Sequence, residues 1–144
     1  MRIKWLRRQT AVKPKTVGTL LHVDLPVLAV QNMVAKVDTG AFSGSLHATD
    51  IQEIKSGKTK QLQFVPHGKT TPVKFDSFHR RQIKSSNGQV SNRYAIDTDI
   101  VILGDSYPIT ITLSDRSSMK YPMLIGRNFL QTHGFLVDVS INNE

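Results

Sequence analysis

The sequence predicts a mostly β protein: a small closed β-barrel-like domain with one short C-terminal helix. Three observations carry this expectation. The apolar runs before residue 126 are too short for a comfortable helix. Asn87-Gly88, between two such runs, is the strongest short-range hairpin signal in the chain. Only Arg127 to His133, stopped by Gly134 at the C-cap, reads as a helix.

Taken in order, Thr19 to Leu25 mixes apolar and polar residues up to Pro26, and Met33 to Val37 leads directly into Asp38-Thr39-Gly40. Ser43 to Ile54 accommodates a strand and a turn, Lys55 to Lys60 reads as a polar loop, and Leu62, Phe64 and Val65 run to a break at Pro66-His67-Gly68. Val73, Phe75 and Phe78 resume the apolar pattern. The Asn87-Gly88 hairpin, expected as a type I′ turn, has arms Arg81 to Ser86 and Gln89 to Ile96. A second hairpin joins Ile100–Leu103 to Ile109–Leu113 around Gly104-Asp105-Ser106. Ile109, Ile111 and Leu113 alternate with threonines, the signature of a half-buried strand. Tyr121 to Ile125 reads as a buried strand ending at Gly126, and Phe135 to Val139 as a terminal strand. No second Asp-Thr-Gly occurs, so the chain supplies one such loop.

The 144 residues suit one domain, and a chain of this size buries about 68–70% of its unfolded surface, enough for a core without staples. A hydrophobic fraction of 39% and a charged fraction of 21% describe an ordinary globular protein. The absence of cysteine excludes disulfides and thiolate metal sites. No run approaches the roughly 20 apolar residues of a membrane span, and the N-terminus lacks the apolar core of a signal peptide. A cytoplasmic protein with no membrane partner is the resulting expectation. Residues 1–16 read as a flexible basic arm ahead of a domain over 17–144, with Arg2, Lys4, Arg7, Arg8, Lys13 and Lys15 and no acid among them. The net charge of +8 points to an acidic partner. Nucleic acid is not favoured, because Trp5 is the only aromatic in the arm and base stacking is poorly supported.

By itself Asp38-Thr39-Gly40 reads more readily as an aspartate capping a turn than as a catalytic loop. The C-terminal segment Met123-Leu-Ile-Gly-Arg-Asn-Phe-Leu130 changes the balance: an apolar strand, a glycine, then a short helix opening on arginine. This order resembles the retropepsins, the aspartic proteases of retroviruses. The chain is more closely similar to the bacterial and archaeal family long called ATP-dependent zinc proteases and now viewed as retropepsin-like. The resemblance rests on Ala35-Lys-Val-Asp-Thr-Gly-Ala41 with Ser45-Leu-His-Ala48, then Ile83-Lys-Ser-Ser-Asn-Gly88. It continues through Thr112-Leu-Ser-Asp-Arg-Ser117 and Tyr121-Pro-Met-Leu-Ile-Gly-Arg127. The older family name finds no support in the residues. There is no phosphate-binding Gly-x-x-x-x-Gly-Lys-Ser/Thr loop and no His-Glu-x-x-His, and the five histidines are scattered without ligand spacing. No cofactor and no metal are therefore expected.

The resemblance implies half of an acid-protease site, with Asp38, Thr39 and Gly40 catalytic. It implies substrate contacts from Ala41, from the flap-like hairpin (Lys84, Ser85, Ser86, Asn87 and Gly88) and from Arg127. Aspartic proteolysis needs two carboxylates sharing one proton. Two charges about 3 Å apart repel by roughly 5 kcal/mol at an effective dielectric of 20, which favours the singly protonated pair. One Asp per chain thus implies a homodimer, whose two-fold axis supplies the second. Ala41 offers the carboxylate no hydroxyl, so a working pH nearer neutral than pepsin's is expected. Lys84, Arg93, Arg80 and Arg81 make the cleft mouth positive, which favours acidic polypeptides. The family's association with enzymes that add glutamates to a ribosomal protein tail points the same way. The alternative is a non-catalytic module of the same fold that holds an acidic protein partner without cutting it.

Overall fold

The structure is a computed structural model that describes residues 14–85 and 87–141. Its elements run β1 (Lys15–Val17), β2 (Leu20–Leu25), a 3-10 turn (Pro26–Leu28), β3 (Val30–Val37), β4 (Gly44–Ser56), β5 (Thr59–Pro66) and β6 (Val73–Phe75). Then come β7 (His79–Lys84), β8 (Val90–Ile102), β9 (Asp105–Ser114), β10 (Met123–Ile125), α1 (Arg127–Thr132) and β11 (Phe135–Val137). The mostly β class with one short C-terminal helix is the predicted one. Strand β1 begins inside the span assigned to the basic arm, and residues 1–13 lie outside the described residues. Among the described residues no helix is long and apolar enough to cross a membrane.

β1 and β11 pair in parallel as a two-stranded sheet. The other nine strands form one sheet in the order β10-β3-β2-β8-β9-β4-β5-β6, with β7 beside β8. Because β10 also pairs with β4, the pairing circuit from β10 through β3, β2, β8, β9 and β4 returns to its start. The seam is narrow, Met123 with Leu46 and Leu124 with Ser45, while β5, β6 and β7 project beyond the circuit. The sheet is therefore not one regular barrel.

Turn chemistry differs from expectation at two places. The hairpin over Asn87-Gly88 closes with Gly88 N–H donating to Ser85 O (3.0 Å) and Ser85 N–H to Gln89 O (2.8 Å). Gly88 has φ 85°, and Asn87 is not among the described residues with positive φ. This is a three-residue loop with a left-handed glycine, not a type I′ turn. The two-residue turn with both φ positive sits instead at Leu103 (50°) and Gly104 (85°), where Ile102 pairs with Asp105. The supposed polar loop Lys55–Lys60 is paired strand on both sides of Gly57-Lys58, with Lys55 facing Lys60.

The core is one continuous cluster of buried side chains. Leu21, Val23, Ala35, Leu46, Leu62, Phe64, Ile96, Ile100, Ile111, Met123 and Ile125 are all buried, each large side chain stabilising by about 1.5–3 kcal/mol. Phe129 of α1 stacks on Phe135 with ring centres 5.7 Å apart, and Tyr107 meets both edge-on. A six-residue helix is too short to persist alone, so this aromatic packing holds it.

Candidate active site

The Asp38 loop is held by two elements distant from it in sequence, β10 and α1. β10 lies between β3 and β4: Met123, Leu124 and Ile125 pair in parallel with Ala35, Lys36 and Val37, and Asp38 N–H continues the ladder to Ile125 O at 2.9 Å. Met123 and Ile125 are buried while Leu124 is only half-buried, as alternation on a strand requires, and Leu124 lines the cleft. α1 then closes the loop from outside. Arg127 N–H donates to Ala41 O (2.7 Å), Asn128 N–H to Phe42 O (3.0 Å), and Arg127 Nη1 to Thr39 O (2.9 Å). The Arg127 guanidinium also lies over the Phe42 ring at 5.6 Å.

Asp38 is half-buried, and its Oδ1 accepts Gly40 N–H at 3.0 Å. A methyl group on Gly40 would come within 3.3 Å of the same oxygen, so glycine lets the backbone amide approach. The carboxylate opens onto a cleft of about 650 Å³ whose lining includes Gly40, Ala41, Ser45, Lys84, Ser85, Arg93, Thr112 and Arg127. Thr112 departs from the alternation expected for β9. It is buried, because its Oγ1 donates to Gly44 O at 2.8 Å beneath the cleft. Ser45 is buried beside it, its Oγ 3.0 Å from Ser114 Oγ.

The structure thus brings Asp38, Gly40, Ala41, Lys84, Ser85 and Arg127 to one cleft. Thr39 is exposed and contributes its carbonyl to Arg127 rather than a side chain to the cleft wall. Asn87 and Gly88 lie at the hairpin tip, where Asn87 Oδ1 accepts Gln89 N–H at 3.1 Å; they are not among the cleft-lining residues. Ser86 lies outside the described residues.

The hairpin is rooted by contacts that periodicity does not reveal. Arg80 and Tyr94, opposite each other at its base, both bond Glu53 Oε2 of β4, the tyrosine hydroxyl at 2.8 Å. The Arg80 hydrogen bond first, then that from Tyr94, holds the Glu53 carboxyl below its ordinary value of 4.5. Since the folded state releases this proton more readily than the unfolded one, the contribution is present above pH 4.5 and is lost as pH falls below it. In urea titrations the wild-type midpoint should therefore fall more steeply than that of Glu53→Gln between about pH 5 and pH 3. Parallel profiles would remove Glu53 from the account.

The residues present do not fit a zinc site. His47 and His67 meet edge-on with ring centres 6.0 Å apart, but among the described residues no three His, Asp or Glu side chains converge. His47 Nδ1 is occupied as acceptor of Arg116 N–H at 2.8 Å. Burial first, then His47, keeps the His67 imidazole below its ordinary value.

Comparison with known proteins identifies the family. The family described as RimB-like, retropepsin-like aspartic endopeptidase RimB, matches residues 16–143. The chain belongs to the RimB-like family. Within the RimB-like chain, the matched region takes in every described element except the first residue of β1. A "Probable alpha-L-glutamate ligase" of Shewanella halifaxensis is 36% identical over 121 residues, 80% of this chain and 26% of the relative. One of Parasynechococcus marenigrum is 31% identical over 117 residues, 77% of this chain and 25% of the relative. The chain therefore spans about a quarter of the length of the curated relatives it matches. A Legionella pneumophila protein of unknown function has a similar solved structure, with TM-score 0.72 and 26% identity, covering 90% of this chain and 97% of that one.

Two residues packed around this RimB-like site escape a reading of spacing alone. Glu53 looks like one more polar residue of β4. Arg116, although part of the family motif, shows no local sign of being buried at 8% exposure. Only the packing of the segment after β9 against His47 and Tyr121 makes it so.

Proposed function

We propose that this RimB-like chain is an aspartic endopeptidase that works as a homodimer, with Asp38 of each subunit forming the catalytic pair. The observation that carries the reading is the placement of Asp38: one carboxylate at the floor of a cleft walled on one side by the β7–β8 hairpin. One Asp38 carboxylate, ionised, takes a proton from water as that water attacks the scissile carbonyl carbon. The other, protonated, donates to the carbonyl oxygen. The resulting tetrahedral intermediate collapses when the departing nitrogen is protonated and the C–N bond breaks. The hairpin excludes water as it closes over the peptide.

Acidic or glutamate-tailed polypeptides are the substrate class this reading favours. Lys84, Arg93 and Arg127 give the cleft a positive lining. Relatives named for glutamate ligation contain a segment like this chain as a quarter of their length, which makes glutamate-bearing chains a natural target. The test is a mass-spectrometric cleavage assay on a peptide pool that includes oligoglutamate-tailed members, run with wild type and Asp38→Asn. Cleavage present in wild type and absent in Asp38→Asn is the expected result. Equal cleavage by both would remove Asp38 from the chemistry, and silence from both would favour the non-catalytic binding module.

A further inference from the structure

Arg80, Arg81 and Arg93 crowd the base of the β7–β8 hairpin, and among the described residues only Arg80 has a carboxylate. It pairs with Glu53, whereas neither Arg81 nor Arg93 forms an ion pair with a described residue. The strand register explains the division. Arg80 lies opposite Tyr94 and Arg81 opposite Arg93, and successive residues of a strand face opposite ways. Arg80 and Tyr94 therefore turn together to Glu53, while Arg81 and Arg93 share the other face. His79, two residues before Arg81, marks that face by its Nε2, 3.0 Å from Asp97 Oδ2. Like charges directly opposite each other destabilise a strand pair. Asp97, which lines a hollow with Arg81, is already engaged by Thr110 and His79.

The same two arginines link the cleft to its surroundings. Arg93 lines the cleft with Asp38. Arg93 and Arg81 together line a hollow of about 420 Å³ over the hairpin base. Arg81 lines another, of about 210 Å³, with Asn128 and Thr132 of α1, and Ser43 belongs to both that hollow and the cleft. A polypeptide leaving the cleft along this side meets Arg93 and then Arg81. An anion between two opposed guanidinium groups turns their repulsion into charge-assisted hydrogen bonds, and a carboxylate matches the planar fork of each. We propose that Arg81 and Arg93 form a carboxylate-binding exosite beside the cleft, which grips an acidic residue of the bound polypeptide away from the position at Asp38. The proposal rests on the reading of the cleft as a peptide site. It does not require that the peptide be cut.

The test is therefore binding, measured by fluorescence anisotropy on Asp38→Asn protein so that the probes stay intact. The probes are a labelled deca-glutamate, which spans about 33 Å when extended, and two decapeptides of equal length. One of these has three glutamates followed by seven glutamines, and the other the reverse order. Deca-glutamate should bind at least about tenfold more tightly than either mixed peptide, the range expected of hydrogen bonds to charged groups. Arg81→Gln should shrink that ratio to about twofold, and Arg81→Lys should fall between, because charge is kept and the two-pronged geometry is lost. Adding Arg93→Gln to Arg81→Gln should shrink the ratio little further, since two residues that share one ligand group do not lose affinity additively.

Equal binding of all three peptides by the unsubstituted arginines would overturn the proposal, as would a ratio that Arg81→Gln leaves unchanged. Fully additive losses in the double variant would mean two separate contacts and no shared site. A single-stranded RNA decamer that binds more tightly than deca-glutamate, and loses as much on Arg81→Gln, would assign the arginines to phosphate and overturn the proposal as well. Failure of the peptidase reading would appear elsewhere, as cleavage independent of Asp38 with this binding contrast intact.

Discussion

Refolding wild-type chains with an equal amount of Asp38→Asn chains should leave only about a quarter of the wild-type activity per dimer, the square of the wild-type fraction. The reason is electrostatic. A pair of carboxylates at contact shares one proton because double ionisation costs roughly 5 kcal/mol. An Asp–Asn pair has no such requirement and offers one acid-base group where two are needed. Titrating the mutant fraction and measuring initial rates separates the possibilities. Activity falling as the square places one Asp38 from each chain in every working site. A linear fall, to roughly one half at equal mixing, would mean that each chain works alone and would sink the homodimer. The substitution itself is nearly isosteric, so circular dichroism and the unfolding midpoint should be unchanged in the mutant.

Gly126→Ala should destabilise the domain by ~3 kcal/mol or more and abolish the site even where the fold survives. The backbone there is ordinary for any residue, with φ −88° and ψ 172°, so the constraint is space. A methyl group on Gly126 would lie 2.6 Å from both Phe42 O and the Ser43 carbonyl carbon. Both atoms are main chain, and neither can swing aside as a side chain could. The segment they belong to joins the Asp38 loop to β4, so relief means parting α1 from the loop. That movement breaks the bonds from Arg127 to Ala41 O and from Asn128 to Phe42 O. Gly68→Ala is the control. Its added methyl would meet nothing within 4 Å, and its cost is only the ~1 kcal/mol of a left-handed alanine. Denaturant midpoints for the two variants give the comparison, and equal losses would refute the packing argument.

Much of this protein was legible along the chain because the signals are local. Period-two patterning marks β9, a glycine two residues beyond Thr132 stops α1 with φ 69°, and the strand leading into Asp38 is readable from Met33 onward. The family motifs bring Asp38, Lys84, Ser85 and Arg127 onto one short roster, and these do meet at one cleft. Where local signals misled, a neighbour decided. Asn87-Gly88 satisfies a type I′ turn on paper, but the register of β7 against β8 spans three residues there, and the two-residue turn falls at Leu103-Gly104 instead.

The amino-acid sequence by itself therefore determined the mostly β class, the single helix and the residue types that meet around Asp38. Tertiary structure alone decided three things: that β10 wedges between β3 and β4 to hold the loop, that Glu53 roots the hairpin, and that Arg116 is buried with its Nε on Tyr121 O. Each depends on segments tens of residues apart meeting at a distance of a few ångströms. Periodicity reports only which face of an element seeks the core. It carries no record of which distant backbone will lie against that face, or of the charge that such packing strips of water.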